Sequence, residues 1–282
     1  MNLYKGKINK NKIEMKRTTY IIIGFLILGV FLIPILLMPV SLEHADDVLS
    51  MGGESTEIEL TGIRHVRIFE KQGGYDKDHV RVFGKLQVQA TQFPGKSTFI
   101  YPKNKYLNVR QEGDCLLIEV NLDDDVISQI TKKMNKGHVL LLNDLNLELK
   151  ADSILLSIEN SVNQVDINVE KISLDSLNIG TGELQKISLN SCRFRSLDMK
   201  GKYLTLRVNK VEVENYYKDL DVISVTKGEI GQFFIDNMFL TGRDSYRHKT
   251  GEVCKRIFWN PKSRDADLEI ILKQKSEIIL NR

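Results

Sequence analysis

The sequence predicts a mainly β protein, a parallel β-solenoid of β-helix type with one N-terminal transmembrane helix and one short amphipathic helix. Three observations predict it. The stretch from Tyr20 to Val40 is apolar, and apolar-x-apolar triplets fill most of the chain beyond it. From about Leu145 those triplets recur with a period of about 21 residues, a length typical of repeat architectures.

Tyr20 to Val40 holds no charged or amide side chain. At about 1.5 Å per residue, a helix of about 20 residues spans roughly 30 Å, the thickness of a bilayer's hydrocarbon core. Lys5, Lys7, Lys10, Lys12, Lys16 and Arg17 precede it against the single acid Glu14, which favours a cytoplasmic N-terminus. A cleaved signal peptide is the alternative, but its apolar region usually covers only about 7–15 residues. Met38–Ser50 offers neither an A-x-A cleavage site nor a cysteine for lipid attachment. The expectation is a single-pass bacterial cell-membrane protein: cytoplasmic basic tail 1–17, signal-anchor 18–40, linker 41–56, and a periplasmic or extracellular domain 57–282.

Charge separates along the same boundary. The whole chain has 40 basic and 37 acidic residues; removing the six and the one that precede the apolar run leaves 34 against 36. The basic balance therefore belongs to the topology signal, and the exported part lacks the electrostatic footprint of a nucleic-acid binder. Cys115, Cys192 and Cys254 are far apart and odd in number, so they imply no disulfide framework, although one pair is possible. None has the C-x-x-C spacing of a zinc or thiol-redox site.

In the exported region Ile58-Glu-Leu60, Val66-Arg-Ile68, Val80-Arg-Val82, Leu86-Gln-Val88, Leu107-Asn-Val109 and Leu116-Leu-Ile118-Glu-Val120 alternate as strands do. Gly73-Gly74, Pro94-Gly95 and Gly113-Asp114 mark turns between them. Residues from about 123 to 137 break the pattern. Val126, Ile127, Ile130 and Met134 fall at helical spacing, behind Asp123–Asp125 and ahead of Lys132, Lys133, Lys136 and the stop Gly137. A short amphipathic helix on the sheet is expected there.

Three triplet sets carry the repeat. Leu156-Ser-Ile158, Leu177-Asn-Ile179, Leu197-Asp-Met199 and Leu220-Asp-Val222 are almost evenly spaced, the last interval being the longest. Val165-Asp-Ile167, Ile187-Ser-Leu189 and Leu206-Arg-Val208 form a second set; Ile172-Ser-Leu174, Cys192-Arg-Phe194 and Val211-Glu-Val213 form a third. Stacked in parallel, such segments bury their inward faces in one core; an antiparallel sandwich is the alternative. Exposed ends need covers, and about 241–282 is the expected C-terminal cap, with Trp259 as a packing anchor and Leu268–Leu272 and Ile278–Leu280 as closing strands.

Catalytic signatures such as G-x-S-x-G, H-E-x-x-H and the phosphate-binding glycine loops do not occur. His44, His65, His79, His138 and His248 never pair at metal-ligand spacing, and no cofactor or metal is expected. The enzyme alternative is a β-helix polysaccharide lyase or hydrolase, which needs carboxylates on adjacent turns of the chain. The outward positions of the first set read Ser157, Asn178, Asp198 and Asp221, so Asp198 and Asp221 are the candidate catalytic pair.

Ile58-Glu-Leu60-Thr-Gly62-Ile63-Arg-His-Val66-Arg-Ile68, and Leu107-Asn-Val109 followed by Gly113-Asp-Cys-Leu116-Leu-Ile118, resemble the bacterial auto-transporter adhesin head GIN domains. Asn178-Ile-Gly180-Thr-Gly182-Glu-Leu184 resembles that family's Gly-Ser-Gly-Asp corner, where paired glycines would supply positive φ. The resemblance covers about residues 55–240 and implies an envelope-exposed parallel β-solenoid without established catalytic residues. This chain departs from the pattern in having one Gly-x-Gly corner and the helical segment after Asp123.

Together these readings lead to a membrane-anchored, non-enzymatic envelope module of adhesin-like or structural role, binding a glycan or an envelope protein. The lyase or hydrolase is one alternative. A transmembrane signalling partner is a second, although the cytoplasmic tail 1–17 is too short for a folded domain.

Overall fold

The computed structural model describes residues 47–71, 80–121, 140–162, 164–183, 185–249, 252–272 and 276–280. The expected transmembrane helix (18–40) and amphipathic helix (about 123–137) lie outside these residues. Among the described residues no helix is long and apolar enough to cross a membrane.

The described residues are all strand and turn. The first half contains β1 (Asp47–Ser50), β2 (Ser55–Leu60), β3 (His65–Lys71), β4 (Val80–Ala90), β5 (Ser97–Pro102), β6 (Leu107–Glu112), β7 (Cys115–Asn121) and β8 (Leu140–Ala151). Next come β9 (Leu155–Asn160), β10 (Val165–Glu170), β11 (Ser173–Glu183), β12 (Lys186–Asp219), β13 (Ile223–Ile230) and β14 (Phe233–Gly242). The C-terminal part adds β15 (Ser245–Lys249), β16 (Val253–Pro261), β17 (Asp267–Ile271) and β18 (Glu277–Leu280).

This architecture corrects the expected β-solenoid. Sixteen strands join edge to edge in one sheet, ordered β2-β5-β8-β4-β10-β12-β11-β9-β3-β7-β6 along its main path, which wraps its core in a nearly closed, barrel-like form; β15 and β17 make a separate two-stranded sheet. Pairing is mixed. β2 with β5, β5 with β8 and β6 with β7 run antiparallel, where uniform stacking of repeats would make every pair parallel. The three triplet sets do not separate into three ladders either, because β12 runs unbroken for 34 residues. Its corners are single residues with left-handed backbone, Ser191, Tyr203 and Lys210 (φ 55°, 55° and 54°), so the chain turns without leaving the ladder. The triplets record which residues face the core; strand continuity and pairing direction depend on these corners, which carry no glycine.

The repeat spacing survives as register offset. Leu177 lies between Leu156 and Leu197, and Leu174 lies beside Phe194. The second set is displaced by one strand position on the same face: Ile187 pairs with Ile167 and not Val165. Leu220-Asp-Val222 is not a strand at all. It is a turn closed by the Val222 N–H on the Asp219 carbonyl at 3.1 Å. The expected positive φ at Gly180 is absent. Gly201 instead needs its missing side chain, since a Cβ there would collide with Thr181 Oγ1.

One apolar cluster runs through the sheet from Met51 to Trp259, drawing the alternating inward residues of nearly every strand. Met51 and β1 both fall in the segment read as a linker; β1 pairs in parallel with β8. Asn160 and Gln185 are buried polar residues that satisfy each other and the backbone of the neighbouring turn. Asn160 Nδ2 donates to Gln185 Oε1 at 2.8 Å, and Gln185 Nε2 donates to the Val162 carbonyl at 2.5 Å. Cys192 and Cys254 are buried and Cys115 is half-buried; all three are free thiols.

Candidate functional site

The outward face of β11, β12, β14 and β16 carries residues in register across strands about 4.8 Å apart. Asn178 pairs with Ser157 on one side and Asp198 on the other. Within β12 the Arg193–Glu212 ion pair and the Asn209–Asn190 hydrogen bond both join positions 19 apart. Continuing that offset puts Asp198 level with Tyr217. Tyr217 then pairs with Phe239, and Phe239 with Phe258. The outward row therefore reads Ser157, Asn178, Asp198, Tyr217, Phe239, Phe258: hydroxyl and amide at one end, aromatic at the other.

The three rings stack on one another. Their centroids are 5.0 and 4.7 Å apart, with planes inclined by 12° and 13°. The strand spacing sets that separation, and each pair contributes about 0.5–1.5 kcal/mol beyond area burial. Tyr217 is 43% exposed, and Phe239 and Phe258 are half-buried. An amide row flanks the rings, with Asn237 Nδ2 donating to Asn215 Oδ1 at 3.0 Å and Arg256 next in register. On the other flank Asp219, Thr241 and Asn260 are aligned.

Around the adjoining corner lies a groove of about 720 Å³. Six of its seven charged residues are paired across strands: Arg195 with Asp175 at 3.4 Å, Arg193 with Glu212 at 3.5 Å, and Lys255 with Asp236 at 2.5 Å, while Glu214 adds a further carboxylate. Exposed Phe234 and Ile154 (48% and 63%) are its apolar features.

Asp198 and Asp221 are differently placed. Asp198 sits in the outward row, paired with Lys200 at 3.4 Å. Asp221 occupies the turn after β12 and has no place in that row. It accepts hydrogen bonds from the Tyr246 hydroxyl, the Arg243 backbone N–H at 2.9 Å and Lys262 Nζ at 3.0 Å. Lys262 also reaches Asp219 at 2.5 Å. The Tyr246 hydroxyl, then the Arg243 amide and Lys262, hold the Asp221 carboxyl down to about 2. A carboxylate so stabilised stays ionised at neutral pH and cannot serve as a general acid. Among the described residues no group of three or more His, Cys, Asp or Glu could hold a metal ion.

Motifs do not single out Tyr217, Phe239 and Phe258, although their spacing carries the repeat period. Following aromatic side chains along that period is the signal that finds them.

No family model matches the chain, and no curated protein matches it. Among solved structures it is similar to proteins named "putative adhesin" from three bacteria. The one from Parabacteroides distasonis shares 10% identity with a TM-score of 0.35, over 83% of this chain and 100% of that one. Those from Parabacteroides merdae and Bacteroides fragilis share 13% and 10% identity, with TM-scores of 0.35 and 0.33. Each covers 83% of this chain, against 99% and 100% of the other. Overlaps this loose assign neither a family nor a ligand.

Proposed function

We propose that this chain is a non-enzymatic binding module of the bacterial envelope, held at the membrane by Tyr20–Val40, that takes an extended glycan or envelope protein on its outward face. The observation that carries this reading is the row Asn178, Asp198, Tyr217, Phe239, Phe258 with its amide flank. A polymer lying across the strands meets hydrogen-bonding groups beside an apolar strip at each strand step, a combination suited to the alternating polar edges and apolar patches of sugar rings. The basic flank and apolar run of residues 1–40 support the anchored, N-inside arrangement. The motifs that resemble GIN domains support an adhesin-like role. The separate settings of Asp198 and Asp221 weigh against polysaccharide cleavage.

Full-length protein in nanodiscs, applied to an array of cell-wall and host glycans and to envelope extracts, tests the reading. Retention on a polymer that falls at least about tenfold in Tyr217→Ala and Phe239→Ala is expected, as for truncation of an interface aromatic. Release of cleaved sugar that disappears in Asp198→Ala would replace it with the enzyme alternative.

A further inference from the structure

Ile179, Met199, Leu240 and Trp259 form an inward row of the core, each at most 7% exposed. Lys218 occupies the position between Met199 and Leu240. It pairs with Leu240, which pairs with Trp259, and the same offset that joins Asn190 to Asn209 within β12 sets it level with Met199. A cation in an otherwise apolar row needs a reason, because desolvation opposes its charge.

The reason lies beside it. β13 pairs with β12 and β15 with β17, but among the described residues no ladder joins β13 to β15. A cavity of about 600 Å³ occupies that place, within the range of small-molecule sites. Leu206, Leu220, Ile223, Val225 and Ile230 form its apolar wall, while Lys218, His248 and Glu252 face it as polar groups. His248 is 8% exposed, and its Nε2 has no hydrogen-bond partner among the described residues. Burial, then the Lys218 charge, hold the imidazole neutral, with its pKa pushed down to about 3. Burial also lowers the Lys218 ammonium, against the opposing pull of Glu252. Arg247 and Lys249 line the same cavity, Arg247 being paired with Glu269 at 3.2 Å.

We propose that this cavity binds a single-chain amphiphile with a carboxylate head, the carboxylate meeting Lys218 Nζ and the acyl chain lying on the Leu206, Leu220, Ile223, Val225 and Ile230 wall. A ligand carboxylate gives the Lys218 ammonium a charge-assisted hydrogen bond in a desolvated setting, where such bonds are strongest. The apolar wall selects against small hydrophilic anions. This site is separate from the outward aromatic row, so failure of glycan binding leaves it untouched.

The test uses full-length protein in nanodiscs and octanoate labelled with ¹³C at the carboxyl carbon, with empty nanodiscs subtracted. A saturable carboxyl resonance at one site per chain is expected. Lys218→Met should weaken octanoate binding by about tenfold or more, the scale of a lost charge-assisted bond, and leave binding of neutral 1-octanol within about twofold. Met fits the row's apolar character; should that variant lose its far-UV circular dichroism, Lys218→Gln supplies the same comparison. Absence of a saturable signal above empty nanodiscs, or equal octanoate affinity in wild type and a folded variant, would overturn the proposal.

Discussion

His248 should make the fold acid-sensitive in a range where carboxylates do not yet titrate. In the unfolded chain its imidazole titrates near pH 6.5; in the native cavity it stays neutral down to about 3. The depressed pKa means that the unfolded state binds the proton first, so stability falls as pH drops below about 6.5 and stops falling once pH passes the native value of about 3. The loss approaches about 1.4 kcal/mol per pH unit once pH is well below 6.5, so roughly 2 kcal/mol disappears between pH 6.5 and 4.5. Lys218, Arg247, Lys249 and Glu252 face the same cavity, and all four are common to wild type and the His248→Gln variant. Asp221, held at about 2, contributes stability above its unfolded pKa of about 3.9 that is lost only below that value. Urea unfolding of wild type and His248→Gln, followed by tryptophan fluorescence from buried Trp259 at several pH values, isolates the imidazole. The difference between the two proteins should shift by about 2 kcal/mol in favour of the variant from pH 6.5 to 4.5. Parallel curves across that interval would refute the cavity argument, because they would mean that His248 is solvated in the native state.

Lys218→Met should raise the thermal midpoint by several degrees, since an apolar side chain in the inward row removes a desolvated cation; an unchanged or lower midpoint in a scanning calorimeter would show that Lys218 is already well compensated. Gly84→Ala should destabilise by about 1–3 kcal/mol in urea unfolding, because its Cβ would collide with the Leu145 carbonyl oxygen and stand 2.6 Å from Leu145 Cβ. Phe239→Ala should cost about 1–3 kcal/mol for two lost stacking pairs, with Tyr217→Ala costing about half as much because Tyr217 has one stacked neighbour among the described rings.

Strand positions and inward faces are legible in the sequence wherever apolar-x-apolar alternation is clean. Leu156, Leu177 and Leu197 fall in register as their spacing requires. Pairing direction is not legible, since β6 and β7 alternate in the same way whether they run parallel or antiparallel. Corners are hidden because the chain turns at Ser191, Tyr203 and Lys210, residues with no strong preference for positive φ. The candidate site is misplaced for a related reason. Extending the triplet pattern aligns Leu220-Asp-Val222 with Leu197-Asp-Met199, whereas Tyr216, a buried residue in an aromatic guise, holds that inward place.

A single change of period connects the aromatic row, the displaced carboxylate and the cavity. Within β12 successive segments are offset by 19, as from Asn190 to Asn209 and from Arg193 to Glu212. Between β12 and its next neighbours the offset becomes 22, as at Arg207–Glu229, Gly201–Ile223 and Tyr216–Met238. The difference matches the length of the turn Leu220, Asp221, Val222. That turn takes Asp221 out of the outward row and gives it to Tyr246, Arg243 and Lys262, so the row is carried on by Tyr217 and Phe239. It also carries the chain into β13 with register shifts on either side of Leu204. The irregular ladder lies where, among the described residues, no ladder joins β13 to β15 and Lys218 lines open volume. Deleting Leu220, Asp221 and Val222 together should therefore close the cavity and move both proposed binding surfaces, read as simultaneous loss of the bound octanoate resonance and of polymer retention. Independent origins for the two surfaces would let one of these signals survive the deletion.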